Sequence, residues 1–449
     1  MPFIPHTPND QKKMLALIGA DNIERLFDEI PSNLIPATLK QLPEGLNEAA
    51  ITQLMEEREP QKLLCFIGAG AYEHHIPAAV WEITTRGELY TAYTPYQAEA
   101  SQGSLQLIYE YQTMMSELLV MDISNASLYD GASALAEAAL MAVRLKQGKT
   151  RRILVPGSVH PAYREVLRSI VQQQNIMVET IPYDLKKGIV NLKWLSTVDM
   201  TDVTALIISQ PNFFGTLEAV DTLTDWAHEQ NILVIASVNP LAMSLLKPPG
   251  QWGKKGVDIA CGEGQPLGIP LASGGPYFGF IACKKEYVRQ LPGRIVARTV
   301  DGKGREGFTL TLQTREQHIR RSKATSNICT NQGLAVTAAT IYLSLLGAKG
   351  LREVALASHT KAWTLFQRLS VLKEITPIFS RPIFHEFVVR CKKPVEKIIS
   401  QMLERKILAG YSLKEDYPEL GNCLLICVTE TKSNEDMAYY EKVFLEIMH

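Results

Sequence analysis

The feature that most restricts the fold of this chain is an alternation of strand-like and helix-like stretches between Ile153 and Ala282. Ile153-Leu154-Val155 reads as a strand and Pro161 to Val171 as a helix. Ile176 to Ile181 and the strongly apolar Ala205 to Ser209 are strands, Leu223 to Gln230 is helical, and Ile232 to Ala236 and Val257 to Ala260 are further short apolar runs. Short strands that are apolar on both faces need cover on both faces, so the rhythm implies a mostly parallel sheet between helical layers. Right-handed crossovers would place ligands at the C-terminal ends of the strands. Tyr277 to Ala282 returns across a connection too short for a crossover, so one antiparallel member is expected.

The flanks are of another kind. In residues 1–60, Asn9-Asp10 can cap a helix carrying Met14, Leu15, Leu17 and Ile18 that Gly19 ends. A second apolar face follows at Ile23, Leu26, Phe27 and Ile30, and then Pro31, Pro36 and Pro43 punctuate an extended passage. Such an arm has too little apolar surface for a core and is expected to wrap the main domain or a partner. Beyond the alternating region come a hairpin at Arg298 to Leu312 around Asp301-Gly302 and a long apolar helix starting near Asn331 that Gly347 ends. A helix at Leu351 to Leu369 precedes strands at Glu386 to Cys391 and Cys423 to Thr429, with helices at Val395 to Arg405 and Ser433 to Met448. The expected organisation is an N-terminal helical arm (1–60), a large α/β domain (61–330) and a small α+β C-terminal domain (331–449).

Charge narrows the function classes. Lys plus Arg, 46, against Asp plus Glu, 47, leaves a net charge of −1, which argues against a general binder of nucleic acid or acidic membrane. Seven cysteines, an odd number without a framework, point to a reducing compartment. With no signal-peptide pattern and no run of 18 apolar residues, a cytoplasmic protein is expected. His74-His75 and the pair Cys423/Cys427 lack zinc spacing, so no metal site is expected. No G-x-S-x-G elbow, Walker loop or complete dinucleotide fingerprint appears.

Four stretches could carry chemistry. Val257 to Phe280 is poor in side chains between two strands, which makes room for a ligand or another backbone. Asp130-Gly131-Ala132-Ser133 opens a helix, where N–H groups and the positive helix end suit an anion, or where Asp130 or Ser133 is simply an N-cap. Gly157-Ser158-Val159-His160 lies between strand and helix, so that His160 could stack on a flat ring or only cap the helix. Arg315, His318, Arg320, Arg321 and Lys323 form a basic cluster that could hold an anion, or face solvent or a partner.

Three stretches, two of them overlapping those just named, carry a resemblance. YTPYQAEASQGSLQLIYEYQTMMSELL, LYDGASALAEAALMA and QTREQHIRRSKATSNICTNQGL closely resemble the glycine decarboxylase P-protein family, the pyridoxal-phosphate component of the glycine cleavage system. The similarity runs along essentially the whole chain and is to the first, or α, subunit of the two-chain form. It implies the fold type I architecture of pyridoxal-phosphate enzymes, with a mostly parallel mixed sheet and a small C-terminal domain. It also implies a partner β subunit in an α2β2 assembly, decarboxylation of glycine, and transfer of the aminomethyl group to the lipoyl arm of H-protein.

The family's catalytic half has a histidine-lysine pair before its glycine-rich turn, and the lysine forms a Schiff base with the cofactor. Counting back from Gly274-Gly275-Pro276, Gln265 stands at that lysine position and Gly264 precedes it. An amide nitrogen is not nucleophilic and cannot take that role. The aspartate that holds the pyridine nitrogen corresponds to Ala236, in Ala236-Ser237-Val238-Asn239. Ser133, Ser158 and His160 then become vestiges of a cofactor site, and the chain is expected to be non-autonomous. Tyr93, Thr94, Pro95, Tyr96 and Gln97 become candidates for completing an active site at the subunit interface, or for docking alone. The rival expectations are a purely structural scaffold for the β subunit and an autonomous pyridoxal-phosphate decarboxylase or transaminase using another lysine, such as Lys254 or Lys255.

Overall fold

The computed structural model describes residues 5–31, 33–34, 42–58, 63–90, 97–272 and 274–448. The chain forms two compact units, Met1–Gln61 and Lys62–His449. In the first, the helix Pro8–Ile18 is capped by Thr7, whose side chain accepts from the Asp10 N–H while Asp10 accepts from the Thr7 N–H. The cap is therefore Thr7 and not Asn9-Asp10. Pro8 has no N–H to lose at the first helical position, so the helix begins there. Gly19 closes the helix at φ 73°. The apolar face expected over Ile23 to Ile30 forms only a 3-10 turn, Glu24–Phe27. Pro31 disfavours helix at the residue before it, leaving too few residues to propagate one. A helix the sequence reading does not anticipate, Glu48–Glu57, is capped by Asn47. Neither helix buries a residue.

The second unit holds fifteen strands among the described residues. They are β1 (Leu64–Cys65), β2 (Ile123–Ser124), β3 (Arg152–Pro156), β4 (Met177–Ile181), β5 (Val203–Gln210), β6 (Leu233–Val238), β7 (Ile259–Glu263) and β8 (Gly279–Cys283), followed by β9 (Ile295–Val300) and β10 (Glu306–Thr311). The remaining five are β11 (Ile375–Pro377), β12 (Glu386–Cys391), β13 (Ile407–Leu408), β14 (Tyr411–Ser412) and β15 (Cys423–Cys427). The large sheet has the order β2-β8-β7-β6-β5-β3-β4. Strands β4, β3, β5, β6 and β7 pair in parallel and β8 runs antiparallel to β7.

The two faces follow the pleat. Ile153, Val155, Ala205, Ile207, Ile235 and Cys261 meet the helices Gly131–Leu145 and Pro161–Val171. Leu154, Leu206, Ile208, Val234, Ala236 and Ala260 meet the helices Gln102–Leu119 and Val220–Glu229. Because β4 and β5 flank β3 on opposite sides, the chain reverses direction across the sheet there. A crevice forms at the C-terminal strand ends, where such sheets bind ligands.

The C-terminal part carries a second sheet, β11-β12-β15-β14, and a parallel pair in which β1 joins β13. The helix from Gly333 to Ser370 is interrupted at Gly347, where φ is 59° and ψ −176°. Its first part, Ala335 to Leu343, lies in the core beneath the large sheet, and its last part, Ala362 to Leu369, lies in the C-terminal core. One stretch of it is apolar enough to cross a membrane by composition, and 50% of that stretch is buried within the protein. A core helix has that composition too.

Candidate functional site

The crevice at the C-terminal ends of β5, β6 and β7 contains a cavity of about 70 Å³, bordered by Tyr72, His160, Tyr163, Ser209, Asn239 and Glu263 among others, with no lysine in its lining. The segment Gly68 to His75 crosses this mouth, and Gln265 and His160 are both bonded to it.

Gln265 is 1% exposed. Its Nε2 donates to the carbonyls of Tyr72 and Ile269, both at 2.8 Å, and its Oε1 accepts from the Tyr72 N–H at 2.8 Å. The amide thus behaves as a two-sided clamp on Tyr72. Glu263, two residues earlier, accepts from the Gly131 N–H at 2.9 Å and from the Gln265 N–H at 3.0 Å. Burial, reinforced by the charge of Asp130, pushes its carboxyl up to about 7.

At the start of the helix Gly131–Leu145, Asp130 is the N-cap, accepting from the Ser133 N–H at 2.7 Å, and the Ser133 hydroxyl accepts from the Asp130 N–H at 3.2 Å. Of the two readings of this stretch, the capping one describes Ser133. His160 caps the next helix, with Nδ1 accepting from the Ala162 N–H at 3.1 Å. That assigns the ring proton to Nε2, which donates to the Ala69 carbonyl at 2.9 Å. The ring stacks on Tyr163 with centroids 4.8 Å apart, and burial lowers its pKa. The Ser158 hydroxyl donates to Glu218 at 3.2 Å. Glu218 also accepts from Asn212 at 2.8 Å and from the Val190 N–H at 3.0 Å, and burial raises it to about 7.

Ala236 sits inside β6, paired with Ile208 and Ala260, and belongs wholly to the apolar core. Gln97 is exposed, and its carbonyl accepts from the N–H groups of Ala100 and Ser101. Tyr93, Thr94, Pro95 and Tyr96 lie outside the described residues. Lys254 and Lys255 precede β7, at the end opposite the cavity. Lys255 borders a different cleft with Lys284 and Lys285.

The basic cluster is not a free anion site around Arg315, whose guanidinium is buried and donates to the carbonyls of Leu291, Leu312 and Gly293. His74 bonds to Glu430 at 2.7 Å, while Cys423 and Cys427 lie on β15 and all seven cysteines are free.

Sequence reasoning passes over Tyr72, Tyr163, Glu218, Glu263 and Glu386. Glu386 accepts from the Ala69 N–H at 2.7 Å and from the Tyr72 hydroxyl at 2.9 Å, and burial raises it to about 7. A signal for two of them is present. Glu263 ends the otherwise apolar β7 and Glu386 opens β12 just before the apolar run Phe387 to Val389, and a carboxylate at such a place needs a partner.

The chain matches a family model described as "Glycine cleavage system P-protein" over residues 1–444. It is 74% identical over 447 residues to a probable glycine dehydrogenase (decarboxylating) subunit 1 of Coxiella burnetii, covering 100% of both chains. A protein of the same name from Nitrosospira multiformis is 61% identical, with 98% of each chain covered. Among solved structures, a glycine decarboxylase (P-protein) of the glycine cleavage system in inhibitor-bound form superposes with a TM-score of 0.87 at 40% identity, covering 100% of both chains. Sphingosine-1-phosphate lyase of Burkholderia pseudomallei, at 15% identity and a TM-score of 0.66, shares the fold, which is that of the fold type I pyridoxal-phosphate enzymes. With the whole length matched at this identity, the chain belongs to the glycine cleavage system P-protein family.

Proposed function

We propose that this chain is the α subunit of a two-chain glycine decarboxylase, working in the cytoplasm as an α2β2 assembly whose β subunit carries pyridoxal phosphate. The substrate is glycine, and the aminomethyl group left after loss of carbon dioxide passes to the lipoyl arm of H-protein. One observation carries the division of labour. Gln265 stands where a cofactor lysine would be, with its amide bonded on both sides to this chain's own backbone.

The residues present do not fit the cofactor. No lysine borders the cavity among the described residues. Ala236 offers no carboxylate to a pyridine nitrogen and lies among apolar neighbours, where an unpaired charge would be costly. His160 uses both ring nitrogens on backbone groups. No step of the cofactor's chemistry is therefore routed through this cavity. What these residues do is hold Gly68 to His75 across the strand ends, through Gln265, Glu386, His160 and Glu430. The autonomous alternative loses support, because Lys254 and Lys255 sit at the wrong end of β7.

The contribution to turnover is assigned to Tyr93, Thr94, Pro95, Tyr96 and Gln97, completing the β subunit's active site. The test has two arms. The purified chain alone should show no cofactor absorbance and no exchange of carbon between glycine and bicarbonate, and adding the β subunit should restore exchange. A lysine of this chain labelled by borohydride reduction in the presence of cofactor would contradict the reading. Tyr93→Phe, Tyr96→Phe and Gln97→Ala, made together, should abolish most exchange while the assembly stays intact. Unchanged exchange would leave the chain a scaffold.

A further inference from the structure

The mouth of the cavity explains more than a missing lysine. A helix N-terminus at a sheet's C-terminal edge is a ready place for a phosphate, because its first N–H groups are free of intrahelical partners and the helix dipole favours negative charge. In this chain two of the first N–H groups of the helix Gly131–Leu145 already have side-chain partners. The Ser133 N–H goes to Asp130, and the Gly131 N–H goes to Glu263, a residue of a different element 132 positions away. The fit leaves no spare volume. A Cβ added at Gly131 would come within 2.5 Å of the Tyr163 hydroxyl and 2.8 Å of the Glu263 Cβ.

The neighbouring positions are equally committed. A Cβ at Gly264 would lie 2.1 Å from the Phe278 ring, so the histidine that resemblance places before the lysine has no room. Gln265 ties the same turn to Tyr72.

We propose that Glu263 is an internal anion, whose carboxylate stands at the amino terminus of the helix Gly131–Leu145 in the place a cofactor phosphate would take, and that with Gln265 it closes this cavity to phosphorylated ligands. The proposal deepens, and rests on, the reading that the cofactor belongs to a second chain. It adds that the exclusion is built in at two points. Replacing Gln265 by lysine does not by itself reopen the site, because the phosphate subsite is filled independently.

The Glu263 carboxylate acts both by occupying the Gly131 N–H and by its charge, which opposes a phosphate dianion at short range. Serine at 263 removes both effects and glutamine removes only the charge. The experiment is a titration of the full-length chain with inorganic phosphate and pyridoxal phosphate by calorimetry at pH 8, with pyridoxal, which lacks the phosphate, as the control. Wild type and Gln265→Lys should show no saturable site for any of the three.

Glu263→Ser should acquire a saturable site for inorganic phosphate and pyridoxal phosphate, with no gain for pyridoxal. Glu263→Gln should show a smaller gain in the same direction, and it decides the matter if the serine variant does not fold. No gain in either variant, with unfolding curves showing them folded, overturns the proposal, and so does an equal gain for pyridoxal. Those failures would leave the two-chain reading intact. That reading falls instead if borohydride labels a lysine of the wild-type chain.

Discussion

Gln265 shows how much a single side chain can decide. A side-chain amide is neutral and carries two N–H donors beside a carbonyl acceptor, and Gln265 uses all three on a buried backbone. Lysine there could donate to the two carbonyls but not accept from the Tyr72 N–H. It would also bring a charge into a site 1% exposed. Gln265→Lys is therefore expected to cost about 2–4 kcal/mol of stability, read as a lower urea midpoint with an unchanged slope. Glu386 makes a second, pH-dependent case. Its carboxyl is ordinary in the unfolded chain, at 4.5, and is raised to about 7 when folded. Between these values the folded state holds the extra proton, so raising the pH through that window destabilises the fold, by roughly 3 kcal/mol in full. Glutamine can accept from the Ala69 N–H and donate to the Tyr72 hydroxyl without titrating. Thermal unfolding of Glu386→Gln should gain on wild type steadily from pH 5 to pH 8. A constant difference would show that Glu386 stays ionised. The lowered histidines His160 and His385 slope the other way, but they are common to both proteins.

At the scale of elements, the sequence speaks most clearly where an element's pattern is internal to it. The apolar runs that form β3, β5, β6 and β7 and the early return of β8 follow from the period of the side chains and the length of a connection. Less legible are contacts that join distant elements. Glu386 meets Ala69 across 317 residues, and no local pattern at either end announces the other. The same holds for β1, whose two residues pair with β13. The arm departs from expectation for a local reason, since Thr7 and Pro8 together start its first helix ahead of Asn9-Asp10. Asp130-Gly131-Ala132-Ser133 is legible as a helix start, whereas its carboxylate neighbour Glu263 is not. Gly215 tests how tightly these elements are joined. It lies at φ 76°, and a Cβ there would stand 2.0 Å from the Glu386 carbonyl oxygen. Gly304 also has positive φ, 75°, with nothing within 4 Å. Gly304→Ala should cost about 1 kcal/mol, the conformational penalty alone. Gly215→Ala should cost several times that and shift the β12 resonances, and equal costs would mean the approach to β12 relaxes freely.

The distribution of core over the whole molecule sets the last expectation. All five apolar clusters among the described residues lie beyond residue 62, from Phe66 to Met448. The unit Met1–Gln61 buries none of its helical residues and exposes Leu17, Ile18, Phe27 and Met55, each by more than half. Burial of apolar surface is the main favourable term in folding, so the stability of the chain resides in Lys62–His449. A fragment of residues 62–449 should fold alone and unfold cooperatively within a few degrees of the full chain. Loss of cooperativity would show that the arm completes a core. The exposed apolar side chains of the arm call for cover, and the proposed β subunit is the partner the next experiment tests for that role. The same fragment should accordingly bind the β subunit at least tenfold more weakly than the full chain, measured by sedimentation at micromolar concentration. Equal affinity would remove the arm from the interface while leaving the fold of the main unit as described.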